Sequence, residues 1–97
     1  DMSDLHAELA GHMDEAEWEW LMPHADRGAL VIVSPDLDLV DVGAAIANDD
    51  TEPVQGWINQ RLLCKPTQKQ IKTWSDNPQK RFKALILQPY VLIQDVA

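Results

Sequence analysis

The sequence predicts an α+β fold in which a small sheet of two to three strands packs against four helices. Short apolar runs indicate the strands: residues 29–33 are apolar at every position, and two further β-rich runs follow late in the chain. Apolar residues that recur every three or four positions indicate the helices between them. We expect residues 2–97 to form a single domain, since this length suits one hydrophobic core.

The first predicted helix covers about residues 3–22, and Pro23 follows it as a stop signal. Trp18 falls on the face opposite the apolar one, among acidic residues, which makes it a candidate contact for a partner protein or for the loop that follows. The apolar face consists of Leu5, Leu9, Met13, Ala16 and Trp20.

A strand at about residues 28–34 comes next, and its fully apolar centre is typical of a strand buried on both faces. Ser34 as N-cap and Pro35 as the first helical residue then predict a helix over about residues 35–49. Residues 37–42 partly alternate between polar and apolar and also fit a strand. Helix and strand both stay open there, and we favour the helix because an alanine-rich stretch continues it.

Two shorter helices are predicted at about residues 52–62 and 67–75. Thr51 precedes the first as a capping residue. Thr67 and Gln70 have the spacing of a capping box at the start of the second.

The remaining strands are predicted at about residues 82–88 and 90–94. Pro89 between them cannot donate a ladder hydrogen bond, so one bent strand and two separate strands both remain open. We expect the last strand, or pair of strands, to lie beside residues 29–33. The order of elements also resembles a winged-helix arrangement, which is the alternative fold.

The two halves of the chain carry opposite charge. Residues 1–52 contain fourteen Asp and Glu and one Arg, whereas residues 53–97 contain seven Lys and Arg and two acids. The net charge of −8 is therefore the sum of −13 and +5. We interpret this asymmetry as two halves that fold against each other, with charged partners as the alternative.

Strands that are apolar on both faces are hard to cover within 97 residues. This predicts a homo-oligomer, with a dimer favoured, that buries the surplus surface. The single cysteine, Cys64, indicates a reducing cytoplasm and is expected to be buried and inert. No apolar run is long enough to span a membrane, and no membrane partner is predicted.

The segments WEWLMPHADRGALVIVSPDLDLVDVGAAIANDD, VQGWI, KPT and RFKALILQPYVLIQ occur in this order over about residues 5–94. In these segments the chain resembles an uncharacterised bacterial family, domain of unknown function 2288. The resemblance implies a bacterial origin. It implies no activity, cofactor or catalytic residue.

An acidic seam on the predicted second helix is the candidate metal site. Asp38, Asp41 and Asp49 share a narrow stripe with Asn48, and Asp36 lies near the helix start. Such oxygen ligands suit Mg²⁺ or another hard cation. The ordinary interpretation, which we favour, is that acids near a helix N-terminus interact well with the helix dipole and with water.

The basic half offers candidate interaction residues. Lys69 and Lys72 flank Trp74, which combines positive charge with a ring that could stack on a base. The net charge of −8 opposes binding to nucleic acid, and a core position for Trp74 is the simpler interpretation.

The sequence contains no convergent catalytic set, so we predict no catalytic residue and no cofactor. The function is unknown from the sequence. The favoured hypothesis is a small cytoplasmic, non-enzymatic protein-interaction or regulatory module that self-associates and binds an unidentified protein partner. The first alternative is a metal-dependent enzyme or small-ligand-binding protein that uses Asp38 and Asp41. The second is nucleic-acid binding through the basic half.

Overall fold

A computed structural model describes residues 2–96 of the chain, with side chains from Asp4 onward. Ala97, which the predicted domain includes, lies outside the described residues. Five helices and five strands alternate irregularly along the described chain. They are α1 (Met2–His12), β1 (Met13–Glu17), α2 (Trp18–Asp26), β2 (Leu30–Val33), α3 (Leu39–Ala47), α4 (Thr51–Asn59), β3 (Leu63–Cys64), α5 (Gln68–Ser75), β4 (Arg81–Leu87) and β5 (Tyr90–Asp95).

The five strands form one mixed sheet in the order β1-β4-β5-β2-β3. Three neighbouring pairs are antiparallel, and β2 runs parallel to β5. The predicted position of the last strand beside residues 29–33 is confirmed, because Leu30 pairs with Val91 and Ile32 with Ile93. The long β2–β5 connection, which contains α3, α4 and α5, makes this parallel pairing feasible.

The predicted fold class was wrong in its element count. The structure has five helices and a five-stranded mixed sheet, not four helices and two to three strands. This sheet also differs from the winged-helix alternative. The two missing strands, β1 and β3, are the two edges of the sheet, where a strand needs only one neighbour.

The first missing strand interrupts the helix predicted over residues 3–22. Residues Met13–Glu17 leave the helical path and pair antiparallel with β4, and a new helix begins at Trp18. Tertiary pairing overrides the helical spacing here: Glu15 lies opposite Lys83, and Glu17 lies opposite Arg81. The new helix continues past Pro23, which lies inside it.

The helix predicted over residues 35–49 begins later, at Leu39, and residues 37–42 form no strand. Asp38 is the N-cap: its carboxylate accepts hydrogen bonds from the backbone N–H groups of Val40 and Asp41. Ser34 instead accepts from the N–H of Asp36 in the preceding turn. The Asp38 carboxylate reaches the first free N–H groups of the helix because Asp38 directly precedes it. Ser34 lies four residues earlier, so its hydroxyl does not reach them.

The two shorter helices lie close to their predicted ranges of 52–62 and 67–75, as Thr51–Asn59 and Gln68–Ser75. The capping box is confirmed: Gln70 N–H donates to Thr67 Oγ1 at 3.1 Å, and Thr67 N–H donates to Gln70 Oε1 at 2.9 Å. Thr51, in contrast, is the first residue of its helix, and no side chain caps that helix.

The late apolar stretch forms two strands joined at Gln88–Pro89 and not one bent strand. Pro89 lies in the turn between β4 and β5, where no ladder hydrogen bond is required of it.

The strand predicted at residues 28–34 is present as the shorter Leu30–Val33.

Helices cover both faces of the sheet, and each face has its own core. α1, α3 and α4 pack on one face, which we call the α3 face, and α2 and α5 pack on the other, which we call the α2 face. The helices of the described chain therefore cover most of the apolar strand surface, and Ile86 of β4 and Tyr90 of β5 remain exposed. The α3-face core contains Leu9, Val33, Leu39, Val42, Ala44, Leu63, Leu85 and Leu92; the α2-face core contains Trp18, Leu21, Leu30, Phe82, Ala84, Val91 and Ile93.

Two contacts fix α3 on the sheet. A Cβ atom added to Gly43 would lie 2.6 Å from Leu85 Cδ2, so this glycine allows the helix to approach β4 closely. The buried amide of Gln94 donates to the carbonyls of Ser34 and Leu37 at 2.8 and 2.7 Å, which holds the turn before the helix. No helix in the described part of the chain is long and apolar enough to cross a membrane.

Candidate interaction surfaces

The β1 strand forms one edge of the sheet and directs half of its backbone groups away from it. Trp18 N–H donates to Lys80 O at 2.8 Å, which continues the β1–β4 register by one pair. Hydrogen-bonded pairs alternate in an antiparallel ladder, so Asp14 and Ala16 also bond to β4. The C=O of Met13, the N–H and C=O of Glu15 and the N–H of Glu17 therefore point to the outside of the sheet, whereas Glu17, as the N-cap of α2, uses its C=O for the first hydrogen bond of that helix.

Acidic side chains accompany these outward groups. Glu15 and Glu17 share the α3 face of the strand and lie 3.6 and 3.9 Å from the guanidinium of Arg81. All three side chains are about half exposed, so these ion pairs contribute little stability. Asp14 lies on the α2 face, and its carboxylate accepts a hydrogen bond of 2.8 Å from the outward N–H of Glu15. Charge and this bond are typical means of protecting an exposed edge.

An apolar cavity of about 310 Å³ lies directly beside this edge, on the α2 face. Trp20 and Ile86 are the large apolar side chains of its lining, and they are 49% and 47% exposed. Ala16 contributes to its lining from β1 itself. Outward backbone groups and an apolar cavity thus lie side by side, and we call this combination the β1 edge site. The cavity is lined by His12, Asp14, Glu15, Ala16, Trp20, Ala84 and Ile86.

His24 adds a titratable group near the cavity. Its ring lies 4.9 Å from the Trp20 ring, measured between centroids. Burial lowers the pKa of His24 from its ordinary value of 6.5, and the neighbouring Arg27 lowers it further. The Arg27 guanidinium donates a hydrogen bond to His24 Nδ1, which requires that this nitrogen be unprotonated.

The opposite edge of the sheet carries a second apolar concavity, of about 390 Å³, which we call the β3 groove. Ile58 and Tyr90 are large exposed side chains of its lining, and Lys65 supplies a positive charge. Cys64 also lines the groove and is exposed, so the expectation of a buried cysteine was wrong. The groove is lined by Val31, Ile46, Val54, Ile58, Leu63, Cys64, Lys65 and Tyr90.

Two carboxylates of the predicted acidic seam have structural partners within the fold. Asp38 caps α3, and Asp41 Oδ1 lies 2.8 Å from His6 Nε2 on α1. Asp49 follows the end of α3 with a φ of +56°. Within residues 2–96, no three His, Cys, Asp or Glu side chains are grouped so that they could hold a metal ion.

The predicted interaction residues lie in two different environments. Trp18 is fully buried, and its ring centroid is 5.1 Å from that of Trp74, which is itself half-buried. Trp74 also makes an edge contact with Phe82, so its ring is part of the α2-face core. Lys69 and Lys72 are exposed on α5.

Sequence reasoning missed the β1 edge site because it assigned those residues to a helix. One signal was available: Glu15 and Glu17, two positions apart, complement Arg81 and Lys83, also two positions apart. That spacing is the period of a strand, in which alternate residues share a face.

Comparisons with known proteins identify the family. The family model described as "Protein of unknown function (DUF2288)" matches residues 4–95. The chain is also similar to the solution NMR structure of PA1075 from Pseudomonas aeruginosa, with 36% sequence identity and a TM-score of 0.82. That alignment covers 98% of this chain and 87% of the other. A search of curated proteins gave no match.

Proposed function

We propose that this chain, which belongs to the DUF2288 family of proteins of unknown function, is a non-enzymatic protein-interaction module. Its binding surface is the β1 edge site, and its ligand is an extended segment of a partner protein that adds to the sheet as a sixth strand. The observation that carries the proposal is the outward direction of four backbone groups of β1, the C=O of Met13, both groups of Glu15 and the N–H of Glu17. In such strand addition the main-chain hydrogen bonds supply affinity.

The neighbouring cavity supports the same function. Side chains of an added strand alternate between the two faces of the sheet, so every second one lies on the α2 face. There it meets Ala16, Trp20 and Ile86, whose apolar surface is open to solvent. Pockets for alternate side chains are the source of specificity in this mode of recognition.

Two parts of the sequence-based hypothesis enter the proposal differently. The cytoplasmic location is kept, because the single cysteine supports it. The homodimer is not kept, because the chain's own helices cover most of the apolar strand surface that motivated it, and because the exposed β1 edge carries like charges that disfavour a second copy. The metal-dependent alternative is not kept either, since Asp38 and Asp41 cap and pair within the fold.

A proline scan of the edge tests the proposal. Glu17→Pro removes an outward N–H without removing a ladder bond, and the φ of −81° at this residue suits proline. Glu17→Gln is the matched control, because it removes the charge and keeps the N–H. Binding of a fluorescent peptide that alternates threonine and valine is measured by anisotropy. We expect binding to the native chain and to Glu17→Gln, and at least about fivefold weaker binding to Glu17→Pro from a lost main-chain hydrogen bond. Equal binding to all three chains would contradict strand addition.

A further inference from the structure

The inner neighbour of β1 indicates which side chains suit this strand. β4 places Lys83 opposite Glu15 and Arg81 opposite Glu17, and between them Phe82 lies opposite Ala16. Over residues 81–84, the strand that already pairs with β1 thus alternates basic and apolar residues. In this stretch the basic residues lie on the α3 face with the glutamates and the apolar residues lie on the α2 face, whereas Leu85, opposite Met13, is an apolar residue of the α3 face.

The outer side of β1 presents the same alternation to a second neighbour. Both glutamates are about half exposed, and their nearest cation, Arg81, is shared between them at distances above 3.5 Å. On the α2 face, an outer strand meets Ala16 and the cavity with Trp20 and Ile86, and the Asp14 carboxylate lies on the same face next to the outward N–H of Glu15. Opposite charges on adjacent strands attract across the sheet, and like charges repel.

From this pattern we infer that the partner segment of the β1 edge site alternates Lys or Arg with apolar residues. Its basic side chains lie beside Glu15 and Glu17, and its apolar side chains enter the cavity at Trp20 and Ile86. The inference rests on the proposed function, and it adds the chemistry of the partner. In the unoccupied edge, the Asp14 carboxylate accepts the hydrogen bond of the Glu15 N–H. A carbonyl of the partner strand replaces the carboxylate on binding, so Asp14 protects this N–H only while the edge is empty.

A second copy of the same strand does not fit this description. β1 contains three carboxylates in five residues and no Lys or Arg. Antiparallel pairing of β1 with β1 would bring Glu15 and Glu17 of one copy beside the acidic side chains of the other, which is unfavourable. A basic and apolar segment of a different protein has the complementary charge.

Peptides of about seven residues, long enough to cover the five residues of β1, test the inference. The first alternates lysine and valine, the second alternates glutamate and valine, and the third has the composition of the first in a blocked order. We expect the lysine–valine peptide to bind at least about fivefold more tightly than either of the others, as two cross-strand ion pairs and one cavity contact would give. Its affinity should fall when salt is raised from about 0.05 M to about 0.5 M.

Glu15→Gln/Glu17→Gln is the matched variant, because it keeps every backbone group and side-chain length. It should lose the preference for the basic peptide and most of the salt dependence, with an unchanged circular dichroism spectrum and melting curve. Equal binding of the basic and acidic peptides to the native chain would overturn the inference.

The two failures are distinguishable. If the threonine–valine peptide binds in a manner sensitive to Glu17→Pro while charge has no effect, the inference is wrong and the proposed function stands. If no peptide responds to Glu17→Pro, both are wrong. A light-scattering mass of a dimer that Glu15→Gln/Glu17→Gln strengthens would identify a second copy as the occupant and would also overturn the inference.

Discussion

The two edge strands of the sheet, β1 and β3, avoid unselective pairing with other chains in different ways. The β1 edge is five residues long and exposes backbone groups, and it is protected by Asp14, Glu15 and Glu17. The β3 edge has only Leu63 and Cys64, too short for strand addition, and exposes an apolar groove instead. One small sheet thus exposes backbone groups at one edge and apolar side chains at the other. The charges on β1 allow pairing with a strand of complementary charge, whereas β3 is too short to pair with an added strand.

The largest expected effect concerns Trp18, the residue that follows β1 and begins α2. Trp18→Ala should lower the free energy of unfolding by about 3–5 kcal/mol, because the fully buried ring fills the α2-face core beside Trp74 and Phe82. Trp20→Ala, two positions later, should cost less, roughly 1–2 kcal/mol, because the ring is 49% exposed and only its buried part loses contacts. Urea unfolding measures both. Similar losses in the two variants would contradict the assignment of Trp18 to the core and Trp20 to the surface.

A smaller effect separates the inward and outward backbone groups of β1. Ala16→Pro removes an N–H that bonds to β4, and it should cost roughly 1–3 kcal/mol more than Glu17→Pro, whose N–H points outward. Thermal unfolding of the two variants gives the difference. If Glu17→Pro is the more destabilising change, the alternation of hydrogen-bonded pairs along β1 has been assigned the wrong way round.

At the β3 edge, we expect a substitution of Cys64 to change the stability little and the Cys64 thiol to be labelled readily. Cys64→Ser should alter the free energy of unfolding by less than about 0.5 kcal/mol, because the thiol is exposed. The native chain should react with a thiol reagent without denaturant, and one label per chain should be found by mass spectrometry. A thiol that reacts only after urea is added would show that the groove is closed.

The smallest expected effect is a pH dependence from His24, whose ring contacts Trp20 next to the β1 edge site. The pKa of His24 is lowered, so the folded chain binds this proton less tightly than the unfolded chain does. Stability from this group is therefore complete above pH 6.5 and is lost as the pH falls from 6.5 through the folded-state pKa. NMR titration of the imidazole should give a pKa below 6.5, and His24→Gln should remove this part of the pH dependence. A pKa at or above 6.5 would contradict the burial of the ring.

The sequence predicted the interior of the sheet better than its edges. β2, β4 and β5 were found because strands buried on both faces are continuous apolar runs. β1 was missed because Leu5, Leu9, Met13, Ala16 and Trp20 fit a helical spacing, and only pairing with β4 decides otherwise. β3 has two residues, too few for any periodicity.

The candidate sites divide in the same way. Local rules identified the Thr67–Gln70 capping box but placed the start of α3 at Ser34 in place of Asp38. The β1 edge site depends on two segments that are far apart in sequence, at residues 12–20 and 84–86. No local pattern brings them together, because the antiparallel register between β1 and β4 does so.

Amide hydrogen exchange with and without the lysine–valine peptide tests the central claim most directly. If the peptide adds to β1, the outward amides of Glu15 and Glu17 should become protected, since they gain main-chain hydrogen bonds. The amide of Cys64, on the other edge, should exchange at an unchanged rate. A bound peptide that leaves the amides of Glu15 and Glu17 unprotected, or that protects the β3 edge instead, would contradict the account.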